Sequence, residues 1–341
     1  MRLSVERLDL STAYDFRITH GGGRSHGNTL VRLEHEGLTG LGEASPAHYY
    51  GESRALVEAA LAAWGPRLGD DPFALDAIEH QLDMALDGQR AARAALESAL
   101  HDWIGRRLDM PVWRIFGLDS ERVPLSSVTL GMSSAEEMER KVETVKDFPI
   151  VKVKLGRPED VENLRLIRRH FRGRLRVDAN TAWSPADAVR VLRAIEPLDI
   201  ELVEQPVSRH DLDGLRWVRE RIGIPVFADE SVHDPEDVAK LAGRVDGVNL
   251  KLMKAGGLRR MHRTLVAARA HGMQVMLGSM VESSLALSAA AQLAPCADHL
   301  DLDGHWLLAS DPFEGAPRER GVIRLSNEPG LGVHEAKRNS P

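Results

Sequence analysis

The feature that most constrains the fold is a repeat of strand length. Short β-branched runs end in polar residues at near-constant intervals: Lys154, Asp178, Glu204, Asp229 and Lys251 are spaced 24, 26, 25 and 22 residues apart. A strand, a helix and two short loops occupy about that length, so the spacing predicts repeated βα units. The candidate strands are 125–129, 150–154, 175–178, 200–204, 225–228, 247–251, 274–277 and 300–302. Eight such units close into a barrel. A doubly wound open sheet is the alternative, and it is disfavoured because functional-looking residues end nearly every strand rather than flanking one switch point.

The first 120 residues have another texture. Leu3, Val5 and Leu8, then Thr29 to Leu33, read as strands around a glycine-rich loop from His20 to Gly27. Three consecutive glycines suit either a mobile lid or a plain hairpin connection. From Arg54 to Leu108 the pattern turns helical. Arg90 to Trp103 places Ala91, Ala94, Ala95, Ser98 and Trp103 on a closely packed stripe. Strands followed by helices predict an α+β domain. The expected division is 1–120 for this domain, 121–310 for the barrel and 311–341 for a Gly- and Pro-rich tail. That tail carries a further strand at 322–325 and returns to the first domain.

Composition removes several functions. With 44 basic and 51 acidic residues the net charge is −7, a poor basis for binding nucleic acid. The single cysteine, Cys296, excludes an internal disulfide and a cysteine-rich zinc site and suits a reducing cytoplasm. Residues 1–10 carry four charges and lack a signal-peptide core, and the uncharged stretch 283–297 is interrupted by Pro295 and too short for a membrane helix. A cytoplasmic enzyme with no membrane or nucleic-acid partner is the expectation.

Asp178, Glu204 and Asp229 end three consecutive strands, and at a barrel mouth they converge. Carboxylates so placed repel one another without a cation, and an all-oxygen set suits Mg²⁺ or Mn²⁺. Lys152 and Lys154 alternate with Val151 and Val153, so both lysines point inward and the valines face the helices. Lys251 ends the sixth strand, across the barrel from the second. A carbon held near the metal would meet one lysine on each face, as removal and return of a proton requires. A lysine is a base only when neutral, a condition that a neighbouring cation favours.

Lys152-Val153-Lys154, Asp178-Ala179-Asn180, Glu204-Gln205-Pro206, Asp229-Glu230-Ser231, Lys251, Gly256-Gly257 and Pro329-Gly330-Leu331-Gly332 together resemble the enolase superfamily, muconate-lactonizing subgroup. The resemblance spans nearly the whole chain. It implies an α/β fold: a modified (β/α)7β barrel of TIM type under an N-terminal α+β capping domain completed by the tail. It also implies one Mg²⁺ per subunit, held by Asp178, Glu204 and Asp229, with self-association of subunits common. The implied chemistry is removal of a proton α to a carboxylate by Lys154 and Lys251, with Lys152 supporting the enolate charge.

Members of the subgroup differ in substrate, and Asp301-Leu302-Asp303 at the end of the eighth strand is the discriminating element. Both aspartates face one side and form a receptor for an ammonium group. This is similar to the Asp-x-Asp motif of dipeptide epimerases. N-succinylamino acid racemases, o-succinylbenzoate synthases and muconate cycloisomerases act on substrates with no ammonium to bind. A non-catalytic barrel is the reading of another class. Arg24 in the glycine-rich loop resembles the loop arginine with which L-Ala-D/L-Glu epimerases bind a side-chain carboxylate, and Ser279 is expected to line the site. Glu282 is expected beside it, Asn180 behind the metal, and His48 in packing.

Overall fold

The computed structural model describes residues 1–18, 21–85, 88–315 and 319–337. Three strands, β1 (Arg2–Ile18), β2 (Gly21–His35) and β3 (Leu38–Ala44), form an antiparallel sheet. Eight more form a parallel sheet in sequence order: β4 (Val128–Leu130), β5 (Ile150–Lys154), β6 (Arg174–Asp178), β7 (Ile200–Glu204), β8 (Val226–Ala228), β9 (Gly247–Lys251), β10 (Gln274–Gly278) and β11 (His299–Asp301). Ser127 N donates to Leu300 O at 3.0 Å, joining the segment that leads into β4 to β11 and bringing the sheet round to a barrel.

Each strand of the eight is found within a few residues of its expected place. Helices follow strands β4 to β10, and several of their starts are capped by side chains that the sequence displays. Ser134, Ser184, Asp211 and Asp234 each accept from the main-chain N–H three residues on. Among the described residues after β11 only the one-turn helix Gly304–Leu307 forms, so the architecture is (β/α)7β with a capping α+β unit. Among the described residues no helix is long and apolar enough to cross a membrane.

The N-terminal ribbon differs from the expectation. Gly21, Gly22 and Gly23 are paired strand residues, opposite Ile18, Arg17 and Phe16, rather than a loop. Their φ angles of 126°, 140° and 156° are ones that L side chains rarely adopt, so glycine allows the strand to continue there. The register shifts between Ser11 and Phe16, which bulges the partner strand. His20 lies outside the described residues. β3 was not anticipated, and 322–325 is not a strand: Val322 makes one bridge, to Glu319. The segment instead serves as an anchor, with Ser126 N donating to Gly321 O at 2.7 Å. The tail's pairing comes from β12 (Phe313–Glu314) with β13 (His334–Glu335).

The helix Arg90–Leu108 is the spine of the cap. Its expected stripe is buried, and the burial extends around the helix to Arg93, His101 and Asp102. Asp102 fixes three segments at once. Its Oδ2 accepts from Leu41 N at 2.9 Å and Arg106 Nε at 3.0 Å, and its Oδ1 accepts from Leu331 N of the tail at 2.8 Å. Gly330 exchanges main-chain hydrogen bonds with Met110 and Val112, so the tail does return to the cap.

The cap is tied to the barrel mouth by buried Glu43. It accepts from Asn28 Nδ2 at 2.7 Å and from Ser283 N at 3.1 Å, at the start of the helix that follows β10. Asn28 Nδ2 also donates to Val281 O at 3.0 Å. Gly42 lets β3 lie directly on the spine: a Cβ there would stand 1.9 Å from Ala95 O. Gly42→Ala is therefore expected to lower stability by about 1–3 kcal/mol, read as a fall in melting temperature. The exposed turn residue Gly37 has open space around it but a φ of 78°, so Gly37→Ala should cost only the smaller backbone strain.

Candidate active site

Asp178 ends β6, Glu204 ends β7 and Asp229 follows β8 directly. Asp178 pairs across the sheet with both Lys154 and Glu204, so these strand ends stand level at the barrel mouth, where Asp178, Glu204 and Asp229 form a carboxylate rung. All three carboxylates are buried, and oxygens from the three lie within 4.8 Å of one another. Three hard, anionic oxygens at that separation fit a divalent cation of the Mg²⁺ or Mn²⁺ kind. The electrostatics agree. Burial and the charge on Asp178 push Glu204 up to about 8. Burial opposes ionisation of Asp178 as well, but Lys152 and Lys154 outweigh it and hold the group down at about 2. Asp229 is likewise held well below the usual carboxylate range, against burial, by Lys251 and Lys254.

The lysines supply the compensating charge. Lys152 Nζ lies 2.6 Å from Glu204 Oε2, 2.7 Å from Asp301 Oδ2 and 3.0 Å from Asp178 Oδ2. Burial works against this ammonium, yet the surrounding carboxylates raise its pKa well above the ordinary value. Lys154 Nζ donates to Asp178 Oδ2 at 2.6 Å, and Lys251 Nζ to Asp229 Oδ2 at 2.8 Å. Lys154 and Lys251 stand four strands apart in an eight-stranded barrel, on opposite sides of the rung. Both open onto a cavity of about 260 Å³ under the cap.

Each carboxylate also has one oxygen held from outside the lysine ring. Asn180 N donates to Asp178 Oδ1 at 2.9 Å, Asn249 Nδ2 to Glu204 Oε1 at 2.7 Å, and Lys254 Nζ to Asp229 Oδ1. The oxygens turned toward Lys152, Lys154 and Lys251 are the other three. Asn180, Thr181 and Gln205, immediately after two of the carboxylates, adopt positive φ angles of 42°, 67° and 36°. Strained main chain of this kind persists where a site imposes it. Gln205 Oε1 in turn accepts from Asp229 N at 2.9 Å.

Asp301 and Asp303 line the same cavity, as does Ser279, whose Oγ donates to Asp301 O at 3.4 Å. The two aspartates are not equivalent. Asp301 is taken up by Lys152 and by Ser127 Oγ at 2.6 Å, and Lys152 outweighs burial to keep it ionised. Asp303 accepts from Thr129 N at 2.6 Å, and burial together with Asp301 pushes it up to about 7. A carboxyl in that state gains most from a cationic ligand.

Arg24 is not brought to this site. It is exposed, its guanidinium donates to Ala13 O at 3.2 Å, and it is not among the cavity-lining residues. The strand that replaces the expected loop directs it to the bulged neighbour. From this strand Gly21, Gly22 and His26 line the cavity, with Phe16 opposite. His48, read from sequence as packing, also lines it with Tyr49 and Tyr50. Glu282, expected beside the cavity, is buried behind it, accepting from Met280 N at 3.0 Å and pushed up to about 8 by burial and by Glu43. Asn249 and Lys254 went unremarked in the sequence. The period-two alternation that turns Lys152 and Lys154 inward applies equally to Asn249 and Lys251, and Lys254 is one helical turn beyond Lys251.

Comparison with known proteins agrees with this geometry. Residues 134–337 match the family described as enolase C-terminal domain-like, and residues 11–117 match the mandelate racemase/muconate lactonizing enzyme N-terminal domain. The chain is 36% identical over 335 residues to an L-Ala-D/L-Glu epimerase of Bacteroides thetaiotaomicron, covering 98% of this chain and 88% of that one. The substrate-liganded L-Ala-D/L-Glu epimerase of Bacillus subtilis superposes with a TM-score of 0.93 at 31% identity, over 98% of both chains. The dipeptide epimerase of Enterococcus faecalis, complexed with Mg and L-Leu-L-Tyr, gives 0.93 at 32% identity over 97% of this chain and 98% of that one. With both halves matched and relatives similar over nearly their full length, the chain belongs to the mandelate racemase/muconate lactonizing branch of the enolase superfamily.

Proposed function

We propose that this chain is a Mg²⁺-dependent dipeptide epimerase that inverts the α-carbon of the C-terminal residue. The observation that carries the reading is the joining, in one cavity, of Lys152, Lys154, Lys251 and the carboxylate Asp229 with Asp301 and Asp303. Relatives in complex with Mg and a dipeptide support it. So does the chemistry of the aspartates, because an N-acylated amino acid or a muconate has no ammonium for Asp303 to pair with.

When bound, the divalent ion supplies positive charge that stabilises the enolate of the substrate carboxylate. The chain's own residues do the rest. Asp303 receives the dipeptide ammonium and so fixes the distance from N-terminus to α-carbon. Lys152, buried among carboxylates and held charged, offsets the negative charge that develops on the substrate. Lys154 Nζ takes the α-proton on one face or Lys251 Nζ on the other, and the partner lysine returns one to the opposite face. Burial works against the Lys251 ammonium, but Asp229 and Glu204 outweigh it and raise its pKa. A cation on those carboxylates would relieve that effect and ease the lysine toward its basic form.

Three outcomes follow. Asp178→Asn, Glu204→Gln or Asp229→Asn is expected to abolish turnover while leaving the far-ultraviolet circular dichroism unchanged; full activity in excess chelator would contradict this. Lys154→Ala should stop α-proton exchange into D₂O from one stereoisomer and Lys251→Ala from the other, each by about 10²–10⁴-fold. Loss from both isomers in one variant alone would indicate a single base. Asp303→Asn should lower kcat/KM for free dipeptides by about ten- to a hundredfold and shrink the preference over N-acetyl dipeptides, measured by mass shift in D₂O. An unchanged preference would remove Asp303 as the ammonium receptor.

A further inference from the structure

Lys254 lies in the short helix Leu252–Ala255, which starts straight from the end of β9. It is 3% exposed. Its Nζ donates to Asp229 Oδ1 and faces the main-chain oxygens of Asp229 at 2.5 Å, Asn249 at 3.1 Å and Val232 at 3.3 Å. An ammonium has three protons, so four acceptors exhaust it. It does not line the substrate cavity; it lines a neighbouring one with Tyr50, Glu52 and His233. Lys254 therefore does not touch substrate.

What it touches is the carboxylate on which Lys251 leans. Asp229 is held between two ammoniums, Lys254 on Oδ1 and Lys251 on Oδ2. The equivalent holders on the other two carboxylates, Asn180 N and Asn249 Nδ2, are neutral, so Asp229 alone has a charged one. Lys154 leans on Asp178, which Lys254 does not reach through any of these hydrogen bonds. One base thus shares its carboxylate with Lys254 and the other does not.

We propose that Lys254 is a positioning residue for the Lys251 half of the proton transfer. By clamping the outer oxygen of Asp229 it fixes the inner one, and with it the place where Lys251 Nζ waits for the α-carbon. The proposal rests on the two-lysine reading above. Misplacing a reacting group by about 1 Å costs on the order of a hundredfold in rate, so the effect belongs on one face of the substrate.

The test is initial α-proton exchange in D₂O, measured separately for an L-Ala-L-Xaa substrate and its L-Ala-D-Xaa epimer. Lys251→Ala identifies which isomer faces Lys251. Lys254→Met is expected to slow that isomer by about ten- to a hundredfold through kcat and the other by less than about threefold. Lys254→Gln keeps an uncharged NH2 donor group on a somewhat shorter chain, and should give a smaller loss on the same face. Mg²⁺ affinity by calorimetry and the melting temperature are measured on both variants. Equal losses on the two faces, whether or not Mg²⁺ binding weakens or the fold loosens, would overturn the proposal and leave Lys254 a structural or metal-site residue. No loss on the Lys251 face would overturn it as well. Absence of exchange from either isomer in the unsubstituted enzyme would instead sink the two-lysine reading, and this proposal with it.

Discussion

Three buried carboxylates held within 4.8 Å of one another are the constraint on which the rest of the structure depends. At an effective dielectric of about 20, two unit charges at that distance repel by roughly 3 kcal/mol. No isolated chain would keep such a group ionised out of water. The barrel does so by facing the rung with Lys152, Lys154 and Lys251 and backing it with Lys254. The pKa values show how close the balance is: Asp178 is held at about 2 while Glu204, one strand away, is pushed up to about 8. A divalent cation would resolve that conflict by offsetting the carboxylate charge that the lysines now balance.

This cluster dictates what the scaffold must do. Parallel strands in register place Lys154, Asp178 and Glu204 at one level, and strand alternation puts the apolar residues against the helices. The turn after each carboxylate is constrained in its own way, by positive φ angles at Asn180 and Gln205 and by the Gln205–Asp229 hydrogen bond. The cap contributes by closure. Glu43 reaches from β3 to the start of the helix after β10, and Asp102 binds the cap's spine to the returning tail. The cavity is thus roofed by a sheet that is fixed to the barrel on one side and to the chain's end on the other.

The sequence made the barrel legible because its information is local. A repeat of about 25 residues, capping serines and aspartates, and alternation at Lys152–Lys154 are each read within a few residues. Asp178, Glu204 and Asp229 followed from the same periodicity. What escaped was information carried by pairing over distance. The ribbon of β1 and β2 continues through three glycines that look like a loop in isolation, and its register shift decides where Arg24 points. The stretch 322–325 has a strand's composition but no partner, so it bridges once and stops. Asn249 and Lys254 could have been found by applying the alternation and one helical turn to β9, but nothing in their residue types marks which carboxylate oxygen each would hold.

The central claim is that the buried rung is a cation site rather than a self-contained salt-bridge cluster. Calorimetric titration of the intact chain with Mg²⁺, compared with Glu204→Gln, tests it most directly. One ion bound per chain by the unsubstituted protein, and loss of that binding in the variant with the fold retained, is the expected result. A folded, unsubstituted protein that takes up no ion, or a variant that binds as well as the original, would contradict it.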